Sequence, residues 1–494
     1  MAKSARSKKE PGPPRVYKVI VRMYCIGTGD FLFVRFYSKK ECVFTMLVDC
    51  GACRPNTPRF TVAVDSFINS LPNNILDLLV ITHEHNDHVN GFAICYNLFQ
   101  KIIIREAWFA WTEDPDESTG AARELKTNIG TIKHGLHHAL HTIRERETKM
   151  RKDKGAGPLS AKIGNFLMAL TDLADINLSE DVNYNLSGEN QDRGLRGMHQ
   201  AKILLFGRNV KVRYLYPGEI VTLPQVPGVR FNVLGPPTRR ENIFRNGQQG
   251  VDVFEKTFAL KNDPMLANTF IEFNRVNRIF DLPFSDHYYA DPLVHNGMEY
   301  LRYLDQSNAW RSIDNDWLNS AGALALRLNS HINNTSLVLA IESEETKKVL
   351  LFPGDAEYGS WQSWHSLEHP TGKSGSSRSW AADLLNRTVF YKVSHHGSYN
   401  GTALAKGISM MEHPDLIAFV TLDLQNIFPG WKRTMPSRRL LEELNRRAQG
   451  RVIFMNDHDI NNTFYFRQDV KLPGLQTAVH NKQPLYKEVA ISNF

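Results

Sequence analysis

The chain is poor in cysteine: only five occur in 494 residues, and Cys25, Cys42, Cys50, Cys53 and Cys95 all fall in the first hundred. An odd count without a spaced framework argues against a disulfide-stapled fold and for reduced thiols. Cys50 and Cys53 have C-x-x-C spacing, but no second pair completes a four-cysteine zinc site, so structural thiols are expected there. Long apolar runs are also missing; none approaches the roughly 18 residues that a membrane helix needs. The N-terminal stretch MAKSARSKKEPGPPR lacks the apolar core of a signal peptide. The expectation is a cytoplasmic protein with no membrane partner. Gly372-Lys373-Ser374 has Leu367 where a phosphate loop requires glycine, which argues against a Walker motif. No repeat with a period of about 20 to 50 residues is visible, which argues against a solenoid or propeller.

Charge is present but unevenly placed. The net charge is +7, yet Lys3, Arg6, Lys8, Lys9, Arg15 and Lys18 face only Glu10 at the N-terminus, so the body is close to neutral. Residues 1–16 therefore read as a basic disordered tail. The basic stretches Arg144 to Lys154 and Arg438 to Arg451 have helical spacing and read as solvated faces, with phosphate contact as the alternative. A hydrophobic fraction of 42% is enough to bury a large core.

Short apolar runs with polar punctuation, VYKVIVRMYCIG, DFLFVRFY, CVFTMLVDCG and ILDLLVITH, predict four strands in the first 83 residues. RFTVAVDSFINSL lies between the third and fourth with helical spacing. A similar series returns late: TSLVLAIE, KKVLLFPGD, TVFYKVSHHG, DLIAFVTLD and GRVIFMND as strands, SWAADLLNR and SRRLLEELNRRA as helices. This predicts a layered α/β domain over 17–470, with insertions at about 112–200 and 238–325 and a C-terminal extension at 471–494. His134, His137, His138 and His141 share one face of a predicted helix and read as surface histidines.

The chemistry concentrates at strand ends. In ITHEHNDH, the ligand types His83, His85, Asp87 and His88 follow directly on an apolar strand. Imidazole and carboxylate donors suit Zn²⁺, and also Mn²⁺ or Fe²⁺. Gly354-Asp355 closes a second strand and His395-His396-Gly397 a third. Singly, Asp355 reads equally as a helix cap and the histidine pair as a structural turn; jointly they favour metal.

These segments, with Asp49 in LVDCG, Gly27-Thr28-Gly29-Asp30 and Asn333-Asn334-Thr335-Ser336, resemble the metallo-β-lactamase fold. The resemblance is to the hydrolase domain of ComEC-type competence proteins and covers residues 17–105, 200–237 and 330–470. It implies an αββα sandwich and two divalent ions, Zn²⁺ first and Mn²⁺ second. His83 and His85 would hold one ion, Asp87 and His88 the other, with Asp355 bridging and His395 completing the second site. Asp49 would orient a ligand histidine, and His396 would contact substrate or phosphate or, as the second of a pair, be structural. Two departures stand out. The family's third histidine for the first ion is missing, with Asn333 or His331 as substitutes, and Met435-Pro436 stands where relatives often show His-Pro.

The ligand set predicts hydrolysis by a hydroxide shared between two ions, which Asp87 would orient. A phosphodiesterase or nuclease acting on nucleic acid or nucleotides is the first expectation, with Trp108, Phe109 and Trp111 as an aromatic surface if not core. Hydrolysis of a small ester, lactone, amide or thioester is the second. The third is a component of a bacterial defence system with a degenerate metal site, docking protein partners through the insertions.

Overall fold

A computed structural model describes residues 15–154, 167, 171, 193–245, 328–369, 379–425, 427, 435–456 and 474–494. The tail before residue 15, most of the insertion at 238–325 and Gly372-Lys373-Ser374 lie outside the described residues.

The fold is mixed α/β, built on two mixed sheets. Strands β1 (Lys18–Tyr24), β2 (Leu32–Ser38), β3 (Glu41–Val48), β4 (Ile75–Val80), β5 (Ile103–Ala110) and β6 (Lys211–Leu215) lie side by side in the first. Pairing is antiparallel from β1 to β3 and parallel from β3 to β6. The second sheet runs from β7 (Ile220–Thr222), β8 (Val229–Gly235), β9 (Val338–Ser343) and β10 (Val349–Phe352) to β11 (Thr388–Lys392), β12 (Ile417–Val420) and β13 (Val452–Phe454). It is antiparallel up to β10 and parallel beyond. The parallel strands are the near-continuous apolar ones, such as ILDLLV in β4, because strands covered on both faces have no polar side.

Three apolar clusters define the layers. Val21, Phe36, Val48 and Trp108 of the first sheet share a cluster with Phe231, Leu339, Leu350 and Phe390 of the second. On its other face the first sheet packs Leu47, Leu79 and Phe109 with Phe60, Phe67 and Phe92 of helices Thr57–Asn69 and Asn86–Ile94. Trp361, Trp364, Leu384 and Leu440 from helices Tyr358–Trp364, Trp380–Asn386 and Arg438–Arg447 cover the second sheet in the same way. Helix Thr57–Asn69 illustrates the local logic: the Asn56 side chain accepts a hydrogen bond from the Arg59 amide, and Pro58 sits in the first turn. Its buried positions Phe60, Ala63, Val64 and Phe67 recur at helical spacing.

Residues the sequence sets apart as a C-terminal extension complete the first sheet. β14 (Gln476–His480) and β15 (Gln483–Ser492) pair with each other, and β15 pairs antiparallel with β1. A buried cluster locks this closure. Glu488 accepts from Arg22 Nε at 2.7 Å and from Arg35 at 2.5 Å, while Arg22 also donates to the Tyr24 and Ser70 hydroxyls.

Residues Arg123–Arg193 and Lys256–Ile332 form a second compact unit, overlapping the two segments read as insertions. His134, His137, His138 and His141 lie on helix Ala121–Lys154; their side chains fall outside the described residues. Trp108, Phe109 and Trp111 are core residues, each 3% exposed or less, so they offer no stacking surface. On helix Arg438–Arg447, Arg438 pairs with Glu442, and Arg446 and Arg447 pair with Glu443, which fits a solvated face. Among the described residues no helix is long and apolar enough to cross a membrane.

Candidate metal centre

The parallel strands deliver their chemistry at their C-terminal ends, the edge where α/β sheets gather ligands. β3 ends at Val48, and Asp49 follows with a left-handed φ of 54°. Its carboxylate accepts from the Thr82 amide at 2.8 Å and the Thr82 hydroxyl at 2.6 Å. The loop after β4 is thereby pinned. The same carboxylate lies 2.8 Å from His88 Nδ1, which fixes the ring and turns Nε2 inward. Asp87 and His88 open helix Asn86–Ile94. The Gly27–Phe31 turn packs against them so closely that a Cβ on Gly29 would sit 2.5 Å from the Asp87 carbonyl oxygen. That approach lets the Asp30 amide donate to the same carbonyl at 3.0 Å.

Asp355 follows β10 across Gly354, whose φ of 57° makes the reversal. The Asp355 amide donates to Ser336 Oγ at 3.1 Å. After β11, His395 and His396 take left-handed φ values of 49° and 52°. Such a conformation costs a non-glycine residue about 1–2 kcal/mol, and strain of this kind concentrates at functional sites.

Four donors converge. His396 Nε2 lies 3.1 Å from Asp87 Oδ2 and 3.2 Å from Asp355 Oδ2, and His88 Nε2 also lies 3.2 Å from Asp355 Oδ2. All four groups offer a ligand atom within 4.8 Å of one another. Neither His88 Nε2 nor His396 Nε2 makes a hydrogen bond, although both are buried. Close, misaligned nitrogens and oxygens are what a shared cation requires: bonds of about 2.0–2.2 Å in a tetrahedron place donors roughly 3.3–3.6 Å apart. The residues therefore fit a divalent ion. A second buried group, Asp30, Asp49 and His88, has the same donor types.

His83 and His85 form a separate pair, Nε2 to Nδ1 at 3.0 Å. His83 Nδ1 faces the hydroxyls of Thr82 at 2.9 Å and Ser336 at 3.3 Å. Neither histidine belongs to a group of three or more donors among the described residues. Of the two substitutes considered for a third ligand, Asn333 donates to Glu357 at 2.8 Å, and His331 falls in the second unit. Met435 is buried in the helix-covered cluster of the second sheet.

The adjacent histidines separate. His396 joins the four donors, with Nδ1 held 2.9 Å from Thr421 Oγ1. His395, which the resemblance makes the ligand, instead has Nε2 3.5 Å from the Asn333 amide and Nδ1 3.6 Å from Glu357.

Electrostatics follow the same division. Burial opposes charge on His396, but the Asp355 and Asp87 carboxylates outweigh it and push its pKa up to about 9. His88 is likewise raised well above the ordinary histidine value, burial being overcome by Asp355 and Asp30. Burial dominates at His395, bringing it down to about 4, and at His83, where neighbouring imidazoles add to it. Asp355 and Asp87 both lie below the usual carboxylate range: burial works against their charge, and His396, with Lys392 at Asp355 and His88 at both, prevails. The site attracts positive charge where the four donors meet.

Sequence reasoning misses Lys392 altogether and gives Asp30 and Ser336 no role. The available signal was a lysine inside the apolar strand TVFYKV, since a charge placed in a core needs a partner. No protein-family model matches the chain, and no curated protein matches it.

Proposed function

We propose that the chain is a metal-dependent hydrolase of metallo-β-lactamase fold that cleaves phosphodiesters in a nucleotide or nucleic acid. The convergence of Asp87, His88, Asp355 and His396 at the strand ends carries this reading. Two mixed sheets sharing a core, each covered by helices, agree with it. A divalent ion there, Zn²⁺ first and Mn²⁺ second by donor type, would supply Lewis acidity and lower the pKa of water from about 16 toward 7. We assign His83 and His85 to a second, less complete position. The chain's own residues do the rest. Asp49 and Thr421 orient the two imidazoles, and Ser336 fixes the backbone of Asp355. Asp87, whose side chain is 22% exposed while those of the other three are 2% or less, is the donor that meets solvent and, held as a carboxylate, can accept a hydrogen bond from incoming water and orient it.

One observation favours a second reading, hydrolysis of a small neutral ester or lactone. The lysine in the described site, Lys392, is buried and committed to carboxylates, whereas polyanionic substrates are ordinarily met by accessible basic groups. The test is turnover of bis-p-nitrophenyl phosphate, single- and double-stranded DNA and p-nitrophenyl esters with Zn²⁺ or Mn²⁺. Phosphodiester cleavage that falls about 100-fold or more in Asp87→Ala is expected, since losing a donor to the ion should cost at least what lost outer-shell partners do. Ester turnover alone would establish the second reading, and ion binding without turnover would leave a docking role.

A further inference from the structure

The ammonium of Lys392 sits inside the centre, its side chain 1% exposed. It lies 2.6 Å from Asp30 Oδ2 and 3.0 Å from Asp355 Oδ1, and donates to the Gly354 carbonyl at 2.9 Å. Three segments far apart in sequence thus meet on one nitrogen: the Gly27–Phe31 turn, the end of β10 and the end of β11. We propose that Lys392, paired with Asp30, is the positioning residue of the centre, holding Asp355 by Oδ1 so that Oδ2 is presented to the ion.

The division of the two oxygens carries this. Oδ1 of Asp355 is taken by the ammonium, while Oδ2 faces both His88 Nε2 and His396 Nε2 at 3.2 Å. Asp355 follows Gly354 in a tight reversal, and Lys392 is the side chain that donates to its Oδ1. Asp30 also accounts for the second acidic group. With Lys392 2.6 Å from it, the Asp30, Asp49 and His88 cluster already contains a cation and requires no ion of its own. The lysine and aspartate together are neutral, so the pair orients Asp355 without adding net charge to the site.

That neutrality decides the experiment. Lys392→Met alone strands a buried Asp30 carboxylate beside the ion, where it can attract metal and mask the lost anchor. The informative variant is the charge-neutral double change Lys392→Met with Asp30→Asn, and its partner is Lys392→Gln with Asp30→Asn, whose amide restores a donor toward Asp355. Full-length proteins are titrated with Zn²⁺ and Mn²⁺ by calorimetry, with thermal melts establishing that each is folded. The Met/Asn variant is expected to bind about 10- to 100-fold more weakly than wild type, as lost outer-shell partners cost elsewhere. The Gln/Asn variant is expected to recover part of that loss. A purely structural lysine would lower the melting temperature and leave the affinity of the folded protein unchanged. Folded doubles with wild-type affinity overturn the proposal. The inference rests on the proposed metal centre, and the two fail differently: wild type that binds no ion overturns the centre itself, whereas tight wild-type binding with unaffected doubles overturns only the role of Lys392.

Discussion

His396→Ala is expected to lose tight divalent-ion binding and hydrolysis together, whereas His395→Ala keeps the ion. The two histidines are neighbours in sequence and identical in chemistry, so the contrast tests geometry alone. His396 Nε2 stands 3.1 and 3.2 Å from the two carboxylates of the cluster, whereas His395 faces Glu357 and Asn333. Losing one of four donors should weaken binding by more than the roughly 100-fold typical of outer-shell changes. Removing His395 should change the affinity by less than about tenfold on the same scale. Calorimetric titration with Zn²⁺ checks this directly. Equal losses in both variants, or a larger loss in His395→Ala, would return the ligand role to His395.

The largest expected effect on stability lies in the pairing of β1 with β15. Glu488→Ala leaves Arg22 and Arg35 as buried guanidiniums without their shared carboxylate, with side chains only 5% and 12% exposed. Removing one partner of a buried charge cluster costs about 3–5 kcal/mol, and the loss falls on the contact that ties β15 to β1. The exposed pair Arg438 and Glu442 is the natural control, since Glu442→Ala should cost about 1 kcal/mol or less. Urea denaturation of the three proteins gives both numbers. A Glu488→Ala midpoint close to wild type would mean that the C-terminal strands are held by backbone pairing and apolar contact alone.

Much of the fold was legible because its signals are local. Alternation and apolar runs placed β1 to β4 and β9 to β13, and the helical spacing of RFTVAVDSFINSL placed the helix between β3 and β4, whose start at Asn56 and Pro58 the structure adds. The C-terminal strands were not legible: QTAVH and QPLYKEVAIS are half polar, QTAVH pairs only with QPLYKEVAIS, and β1, the other partner of QPLYKEVAIS, lies more than 450 residues earlier. Only pairing across that distance makes them part of a sheet. The site divides in the same way. Asp87, His88 and Asp355 sit in strand-end turns whose composition marks them, and the structure brings them together. The choice between His395 and His396 depends on two successive left-handed residues, a reversal that spacing does not encode. The lysine in the apolar strand TVFYKV signals that a buried partner exists, but which groups those are, Asp30 and Asp355, is known only once the fold brings them onto it.

The central claim is that Asp87, His88, Asp355 and His396 hold a divalent ion. Anomalous scattering from crystals of the full chain grown with Mn²⁺ or Zn²⁺ tests it most directly. A peak at bonding distance, about 2.0–2.2 Å, from His88 Nε2, His396 Nε2 and oxygens of Asp87 and Asp355 is the predicted result. Crystals with no peak among these donors, or with the ion on His395 and Glu357 instead, would contradict it.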